Sequence, residues 1–288
     1  MVSVQDVVKL QETVELILSE SERLKQYVNG LPPEALERPS PCELWDVGDV
    51  IAHLIWIAET YGGFVERGLR GDLSPAPGFP PQGTLSGPAV DELYGQGAIA
   101  RRRSLGQNMP PTFNERYDQL NDMLARIGPD DWEKPCWQTS RMRPVHSFLP
   151  TFIAELAVHE WDIRSSLEPS PSLSVASLPA LMEKLPSNRR PWSIPFQAKS
   201  TSFGPIRYSF ELKGVAAGRR DIVVEGDKAR METPAQGSAN LILAGVTDTF
   251  VLLMYGRLRL GSAIAAGRLT AKGNQELIPD FDRWLEGH

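Results

Sequence analysis

Residues 147 to 167 read SFLPTFIAELAVHEWDIRSSL, and this segment predicts a long amphipathic helix. Apolar side chains such as Phe152 and Leu156 recur at helical spacing along it. Glu155 and His159 are four positions apart, so they lie on the same face of the helix, one turn apart. Because the apolar stripe includes this face, we expect the Glu155 carboxylate to point into a helical core.

A carboxylate in that position requires a cation, since burying an isolated ionised carboxyl costs several kcal/mol. The cation is either an arginine of a neighbouring helix or a metal ion. A second predicted helix, over residues 47 to 67, carries His53, one of only four histidines in the chain. His53, Glu155 and His159 together form a credible set of three metal ligands. Three protein ligands leave one coordination position open, as in catalytic zinc sites.

Two acidic residues lie near the proposed ligands. Asp49 is one turn before His53, where it either accepts a hydrogen bond from the second ring nitrogen or acts as a favourable acid at the helix N-terminus. Asp162, three residues after His159, is a second such acid. His146, just ahead of the ligand helix, is a candidate fourth ligand or proton shuttle.

The first half of the chain is helical in pattern. Asp46 and Asp49 resemble a capping box at the start of the second helix, and the Gly- and Pro-rich segment from residue 71 to 88 predicts a long surface loop. We predict a four-helix bundle with a core metal site over residues 1 to 168. Five helical segments are expected here, and four main helices among them make the bundle: residues 4 to 28, 47 to 67, 89 to 104, 112 to 127 and 147 to 167.

The second half changes character. Residues 169 to 198 contain six prolines and one short helical stretch, which predicts a connection between domains. Residues 199 to 288 then predict an α+β domain. Its strands are expected at 206 to 212, 221 to 225, 228 to 233, 239 to 244 and 267 to 271, and its helices at 246 to 255 and 274 to 286.

Composition limits the class of partner. The formal net charge of −6 argues against binding to a phosphate backbone. The dense basic run Arg101-Arg102-Arg103 is expected to be a solvated helix face or an ion-pairing patch. The two cysteines, Cys42 and Cys136, do not suggest a disulfide framework, and no segment is long and apolar enough for a membrane span. We expect a cytoplasmic monomer or homodimer that binds small molecules, not nucleic acid or membrane.

Two segments resemble a known family. SPCELWDVGDVIAHL, residues 40 to 54, and ELAVHEWDIR, residues 155 to 164, are similar to the mycothiol-dependent maleylpyruvate isomerase family of the DinB/YfiT-like superfamily. The family motif reads approximately TPCPGWTVRDVVAHL, from which this chain departs at Glu43, Leu44 and Gly48. The resemblance implies a DinB-like four-helix bundle that binds zinc, or another divalent metal, through one histidine and a Glu-x-x-x-His pair.

Mapped residue by residue, that ligand set is His53, Glu155 and His159. The second half, through Ala244-Gly245 and Tyr255-Gly256-Arg257, resembles the family's C-terminal domain, which is similar to sterol carrier proteins. This resemblance implies a sterol-carrier-like α+β domain.

The resemblance also implies a reaction. A thiol coordinated to Zn²⁺ is deprotonated, whereas a free thiol is only a few per cent thiolate at neutral pH. Mycothiol or a similar thiol would add to an electrophile, giving a cis-trans isomerase for a maleylpyruvate-type substrate or a thiol S-transferase. Arg141, Arg143 and Arg257 are candidates to bind a dianionic substrate, with Arg143 and Arg257 taken as the catalytic pair. Two alternatives stay open: a non-catalytic metal-binding protein, and a carrier of small hydrophobic ligands that uses the C-terminal domain.

Overall fold

The computed structural model describes residues 3–42, 45–84, 88–185, 204–226, 228–232 and 239–284. The chain divides into two compact units, residues 1–171 and 172–288. The first unit is helical and the second is α+β, so the fold class expected from the sequence is confirmed. Within the described ranges, no helix has the length and apolar character needed to cross a membrane.

The first unit is built around one central helix. Its helices are α1 (Val4–Asn29), α2 (Val47–Leu69), α3 (Pro88–Leu105), α4 (Met109–Leu124) and α5 (Leu149–Ser165). Helix α2 packs against α3, α4 and α5, while α1 packs against α4 and α5. This arrangement buries α2 along most of its length and places one face of α5 against it.

Local sequence signals set the ends of the first two helices. Ser3 and Asp6 form a capping box at the start of α1, and Gly30 ends that helix. The predicted capping box of Asp46 and Asp49 is confirmed at the start of α2, where each side chain accepts the other's backbone N–H. These caps satisfy amide groups that have no partner within the helix.

Helix α4 begins at Met109, three residues before the predicted start, and ends at Leu124. Pro110 and Pro111 lie in its first turn, where a proline is tolerated because the missing N–H would have no helical partner. The prolines therefore mark the start of the helix and not a preceding loop.

A small antiparallel ribbon of β1 (Pro135–Cys136) and β2 (Arg143–Pro144) was not expected from the sequence. It packs against the end of α2, where Gly68 leaves the necessary room. A β-carbon on Gly68 would lie 2.4 Å from Cys136 Sγ. Strands of two residues have no measurable periodicity, which is why the pattern did not reveal them.

The loop that follows α2 is attached to this ribbon region. Phe79 packs against Trp56, Phe64 and Trp137, with ring centroids 6.3, 5.5 and 5.9 Å away. The backbone N–H of Gly83 also donates to the carbonyl of Thr139. Residues 85–87 of the predicted loop lie outside the described residues.

The second unit contains α6 (Leu178–Lys184) and a five-stranded sheet in the order β5-β4-β3-β6-β7. Strands β3 and β6 are parallel and the other neighbours are antiparallel. The strands are β3 (Ile206–Lys213), β4 (Gly218–Glu225), β5 (Lys228–Glu232), β6 (Leu241–Val246) and β7 (Leu269–Gly273).

The described part of this unit also includes three further short helices: α7 (Thr247–Met254), α8 (Leu260–Ala265) and α9 (Ile278–Trp284). Tyr208, Phe210, Phe250 and Phe281 pack together in its core. Helix α8 was not predicted. The last helix begins at Ile278 and not at residue 274, because a short 3₁₀ helix capped by the Asn274 side chain precedes it.

The domain boundaries inferred from the sequence stay a prediction. The connection expected over residues 169 to 198 includes α6, and residues 186 to 198 lie outside the described residues.

Candidate metal centre

Helices α2 and α5 bring the three predicted ligands together. Nε2 of His53 lies 3.1 Å from Oε2 of Glu155, and Nε2 of His159 lies 3.3 Å from the same oxygen. One donor atom from each residue falls within 4.8 Å of the other two. His53 and His159 are buried, and their ring centroids are 4.8 Å apart. Helix packing thus brings together His53 and Glu155, which are 102 positions apart in the sequence.

The spacing of these donors fits a small divalent cation. Bonds of about 2.0 to 2.1 Å in a tetrahedral zinc site place neighbouring ligand atoms about 3.3 Å apart. The two distances to the Glu155 oxygen, 3.1 and 3.3 Å, agree with that value. Two imidazoles and one carboxylate are also a donor set that zinc uses in catalytic sites. These three residues therefore have the chemistry and the spacing to hold such an ion.

The surroundings of Glu155 distinguish between the two cations expected from the sequence, an arginine of a neighbouring helix and a metal ion. Among the residues that the structure describes, no lysine or arginine pairs with its carboxylate, and its ion-pair partners are His53 and His159. Burial raises the pKa of Glu155, but the hydrogen bonds and charges of the two histidines outweigh burial and hold the pKa well below its ordinary value. The geometry gives no support to the arginine alternative.

Asp162 orients His159. Its Oδ2 lies 2.8 Å from Nδ1 of His159, so the carboxylate accepts the proton of that ring nitrogen and leaves Nε2 facing Glu155. Burial lowers the pKa of His159, but hydrogen bonds with Asp162, Cys42 and Glu155 outweigh burial and raise it well above its ordinary value. The role expected for Asp162 from its position is therefore seen in the contacts.

Cys42 also forms a hydrogen bond with the Asp162 carboxylate, a contact that the sequence analysis did not foresee. Its Sγ donates to Asp162 Oδ2 across 3.2 Å. Cys42, His159 and Asp162 form a second group of potential ligand atoms that shares His159 with the first. The residues Glu43 and Leu44, at which the chain departs from the family motif, lie outside the described residues.

The turn before α2 fixes Cys42 and Trp45. The Ser40 hydroxyl accepts the Cys42 N–H at 3.1 Å and donates to the Trp45 carbonyl at 2.9 Å. The Trp45 N–H closes the turn by donating to the Cys42 carbonyl. As a result, the Trp45 ring lies 5.1 Å from the His53 ring and forms one wall of the site.

Asp49 is part of the helix cap. Its carboxylate accepts the Asp46 N–H at 3.1 Å and lies 3.8 Å from Nε of Arg102. Arg102 also pairs with Asp46, and Arg101 pairs with Glu59. The ion-pairing interpretation of the basic run is confirmed for these two arginines.

An ion-pair network fixes the helix that carries two of the ligands. Glu160, only 4% exposed, pairs with Arg23 of α1 and with Arg164 one turn further along α5. The Arg164 guanidinium lies 3.9 Å over the ring of Tyr27. Glu160 directly follows His159 in the chain, so this network sets the rotation of the ligand helix. Sequence reasoning did not identify it, although the charged run Glu160 to Arg164 was a visible signal.

Tyr117 approaches the site from α4. Its hydroxyl donates to the Leu54 carbonyl at 3.4 Å. Burial, and then the charge of Glu155, raise the pKa of this phenol, so it stays protonated at neutral pH.

The other predicted site residues lie elsewhere. Nε of Arg143 donates to the Ser147 hydroxyl at 3.1 Å, and its guanidinium lies 4.6 Å over the Phe148 ring. Arg257 belongs to the second unit, where Nη1 donates to the Tyr255 carbonyl at 2.9 Å just after α7. Their contact with substrate stays a prediction. His146 Nε2 lies 3.7 Å from Glu133, outside both ligand groups found among the described residues.

A cleft of about 710 Å³ opens between α2 and α4, but it is not the metal centre. Its walls carry both charged and apolar side chains, among them Glu59, Glu66, Arg116 and Met123. None of the three ligands lines it.

Comparisons with known proteins agree with this architecture. Residues 17–164 match the family described as "Mycothiol maleylpyruvate isomerase N-terminal domain", and residues 199–286 match the "SCP-2 sterol transfer family". The chain is similar to the crystal structure of the mycothiol-dependent maleylpyruvate isomerase, with a TM-score of 0.59, 14% identity, and coverage of 91% of this chain and 92% of that one. A histidine-to-alanine mutant of that isomerase gives a TM-score of 0.58 with the same identity and coverage. These two likenesses show the fold. No curated protein matches the chain.

Proposed function

The chain belongs to the family of the mycothiol maleylpyruvate isomerase N-terminal domain, and from this membership we propose that it is a metal-dependent enzyme that activates a low-molecular-weight thiol. The metal is Zn²⁺ or another divalent cation held by His53, Glu155 and His159. The thiol is mycothiol or a close analogue, and the second substrate is a small electrophile. The reaction is the cis-trans isomerisation of a maleylpyruvate-type compound.

One observation carries the proposal. The three donor atoms, one from α2 and two from α5, converge within 4.8 Å, and no fourth side-chain donor joins this group among the described residues. A three-ligand site of this kind leaves a position for an exogenous ligand. When bound there, the metal ion lowers the pKa of a coordinated thiol so that the sulfur is present as thiolate.

The protein's own residues prepare this position. Asp162 keeps a proton on Nδ1 of His159, which leaves the lone pair of Nε2 for coordination. Glu155 supplies one negative charge, which partly balances a divalent cation. The Trp45 ring, 5.1 Å from that of His53, shields one side of the site from water.

The isomerisation needs no net oxidation or reduction. The thiolate sulfur forms a bond to one alkene carbon, and the electron pair of the double bond moves toward the conjugated carbonyl. Rotation about the resulting single bond follows. Elimination then breaks the C–S bond, restores the double bond in the trans form and releases the thiolate. If protonation of the adduct replaces elimination, the same site performs S-transfer.

Arginines would recognise the carboxylates of a dianionic substrate through paired hydrogen bonds. We assign this role to Arg143 and Arg257. Arg143 is supported by its position six residues before α5, where Ser147 and Phe148 fix its guanidinium. Arg257, in the second unit just after α7, is assigned from the sequence resemblance.

A consumption assay tests the proposal. Purified protein is incubated with mycothiol and a panel of electrophiles that includes maleylpyruvate, with and without a chelator. We expect turnover that requires both the thiol and the metal, that is lost in His53→Ala and that is kept in His146→Ala. A protein that binds zinc yet consumes none of these compounds would instead support the non-catalytic metal-binding alternative.

The second unit gives a specific reason to keep one other function. Residues 199–286 match the SCP-2 sterol transfer family, which favours binding of a hydrophobic ligand by this unit. Mass spectrometry of organic extracts from the purified chain tests this function. A stoichiometric lipid in the extract would support it, and an extract without lipid, together with no uptake of a fluorescent fatty acid, would contradict it.

A further inference from the structure

Cys42 and His159 approach the same carboxylate oxygen. Oδ2 of Asp162 lies 3.2 Å from Cys42 Sγ and 2.8 Å from His159 Nδ1. Asp162 is fully buried, and Cys42 is half-buried. A carboxylate oxygen accepts more than one hydrogen bond, so the thiol and the imidazole both act as donors to it.

The thiol lies beside both Asp162 and His159, and the potential ligand atoms of the three residues fall within 4.8 Å of one another. Asp162 bonds to Nδ1 of His159, whereas the proposed metal position is on the Nε2 side of the same ring. The hydrogen bond that Cys42 donates to Asp162 therefore joins the thiol to the carboxylate that orients His159. The turn closed by Ser40 holds the Cys42 backbone at both its N–H and its carbonyl, which limits where the thiol can move.

We propose that Cys42 is a positioning residue: its S–H donates to Asp162 and holds that carboxylate where it aligns His159 for the metal. The inference rests on the proposed function, because it needs a metal at His159. It assigns a use to a cysteine that forms no disulfide and has no place in the thiol chemistry of the substrate.

The physical basis is that hydrogen bonds to a metal-binding histidine hold its ring in the orientation that the metal needs. Groups that hydrogen-bond to a metal-binding histidine fix its tautomer and ring orientation, and their loss typically lowers metal affinity about 10- to 100-fold. Cys42 acts on the ring by holding Asp162, and its S–H is a weak donor. We therefore expect its removal to have an effect near the lower end of that range.

The test first compares metal affinity in the wild type and four single variants. Zinc affinity is measured by competition with a chromophoric chelator, and the visible absorption of the Co²⁺-substituted protein reports the geometry at the ion. The variants are Cys42→Ala, Cys42→Ser, Cys136→Ala and Asp162→Ala, each compared with the wild type. Cys136 is the matched control, because it is a buried cysteine on the ribbon, outside both ligand groups. Circular dichroism verifies that each variant is folded.

We expect Cys42→Ala to weaken zinc binding about tenfold and to shift the Co²⁺ spectrum. Cys42→Ser, which keeps an O–H donor, should restore most of the affinity, and Cys136→Ala should match the wild type. If Cys42 had only a structural role, Cys42→Ala would not change the Co²⁺ spectrum and Cys42→Ser would not restore zinc affinity.

A double-mutant cycle separates action through Asp162 from a direct effect. In an Asp162→Ala background, Cys42→Ala should change zinc affinity less than twofold, because the acceptor is already gone. Unchanged affinity and spectrum in Cys42→Ala would overturn the inference and leave the proposed function intact. A wild-type protein that binds neither zinc nor Co²⁺ would overturn both. If Asp162→Ala does not fold, the comparison of alanine and serine at position 42 alone decides the matter.

Discussion

The guanidinium of Arg102 fills the space beside Gly48. A β-carbon on Gly48 would lie 1.2 Å from Nη1 of Arg102, so any side chain at position 48 must displace this guanidinium. From this position, Arg102 pairs with Asp46 at 2.9 Å and lies 3.8 Å from Asp49. A residue of α3 thereby joins the cap of the helix that carries His53. The family motif has an arginine where this chain has Gly48, and in this chain Arg102 of α3 lies beside that position.

Gly48→Ala should therefore be less favourable than an ordinary Gly→Ala change in a helix. Alanine gains up to about 1 kcal/mol over glycine from helix propensity. Displacing Arg102 removes hydrogen bonds between charged groups, which costs about 1.5 to 3 kcal/mol. We expect a net destabilisation of about 1 to 2 kcal/mol in urea unfolding followed by circular dichroism.

Gly63→Ala is the matched control in the same helix, since a β-carbon there meets nothing within 4 Å. It should stabilise the protein by about 0.5 to 1 kcal/mol. In an Arg102→Ala background, Gly48→Ala should become as favourable as Gly63→Ala. Equal effects of the two glycine substitutions in the wild-type background would show that Arg102 contributes nothing at this position.

Removing one ligand should remove the metal. His53→Ala leaves one histidine and one carboxylate as ligands, which are too few to hold zinc through dialysis. The wild type should contain about one zinc ion per chain, and metal analysis of the variant should find less than a tenth of that content. His146→Ala should keep the full content, because His146 lies next to Glu133 and not in the ligand group. Equal loss of metal from both variants would point to a different site.

The two cysteines should differ sharply in reactivity. Cys136 is fully buried, and burial raises the pKa of its thiol to about 11, whereas Cys42 is half-buried. At pH 8, a thiol with that pKa is only about 0.1% thiolate. Iodoacetamide should modify one cysteine of the folded protein, which peptide mass spectrometry should identify as Cys42. Rapid modification of Cys136 before unfolding would contradict the buried ribbon.

Asp221 should make the second unit sensitive to acid. Burial raises the pKa of this fully buried carboxyl, but hydrogen bonds from Arg219, Ser209 and Arg207 outweigh burial and lower it below its ordinary value. A depressed pKa in the folded state stabilises the protein above the unfolded value of about 3.9. This stabilisation is lost as the pH falls through the folded pKa.

Asp221→Asn should therefore cost about 2 to 4 kcal/mol at neutral pH, and the difference from the wild type should shrink below about pH 4. Amide hydrogen exchange in peptides from β3 and β4 measures this loss of stability locally. Glu225→Gln is the control, because Glu225 forms an exposed pair with Arg230 and should change stability by less than about 1 kcal/mol. A pH-independent cost at Asp221 would mean that its charge is not what stabilises the sheet.

The parts of the site that lie on regular helices were predictable. Glu155 and His159 share a helix face by spacing alone, and the capping box of Asp46 and Asp49 sets the start of the helix that carries His53. The pairing of the two helices followed from apolar patterning and from the resemblance to a known family. The same patterning and resemblance predicted the fold class, one helical unit and one α+β unit, which was confirmed.

The supporting contacts were not predictable, because they join positions far apart in the sequence. Cys42 meets Asp162 across 120 residues, and Arg23 meets Glu160 across 137. Neither pair has a local periodicity that a pattern could detect. The insertion of Arg102 beside Gly48 is similar: only packing shows that a missing side chain on one helix accommodates a long one on another.

X-ray absorption at the zinc edge tests the central claim most directly, since it counts sulfur atoms bound to the metal with and without mycothiol. We predict only nitrogen and oxygen neighbours in the protein alone, which would exclude Cys42 as a ligand. On adding mycothiol, we predict one sulfur at about 2.3 Å. Sulfur coordination without added thiol, or none after it is added, would contradict an open site formed by His53, Glu155 and His159.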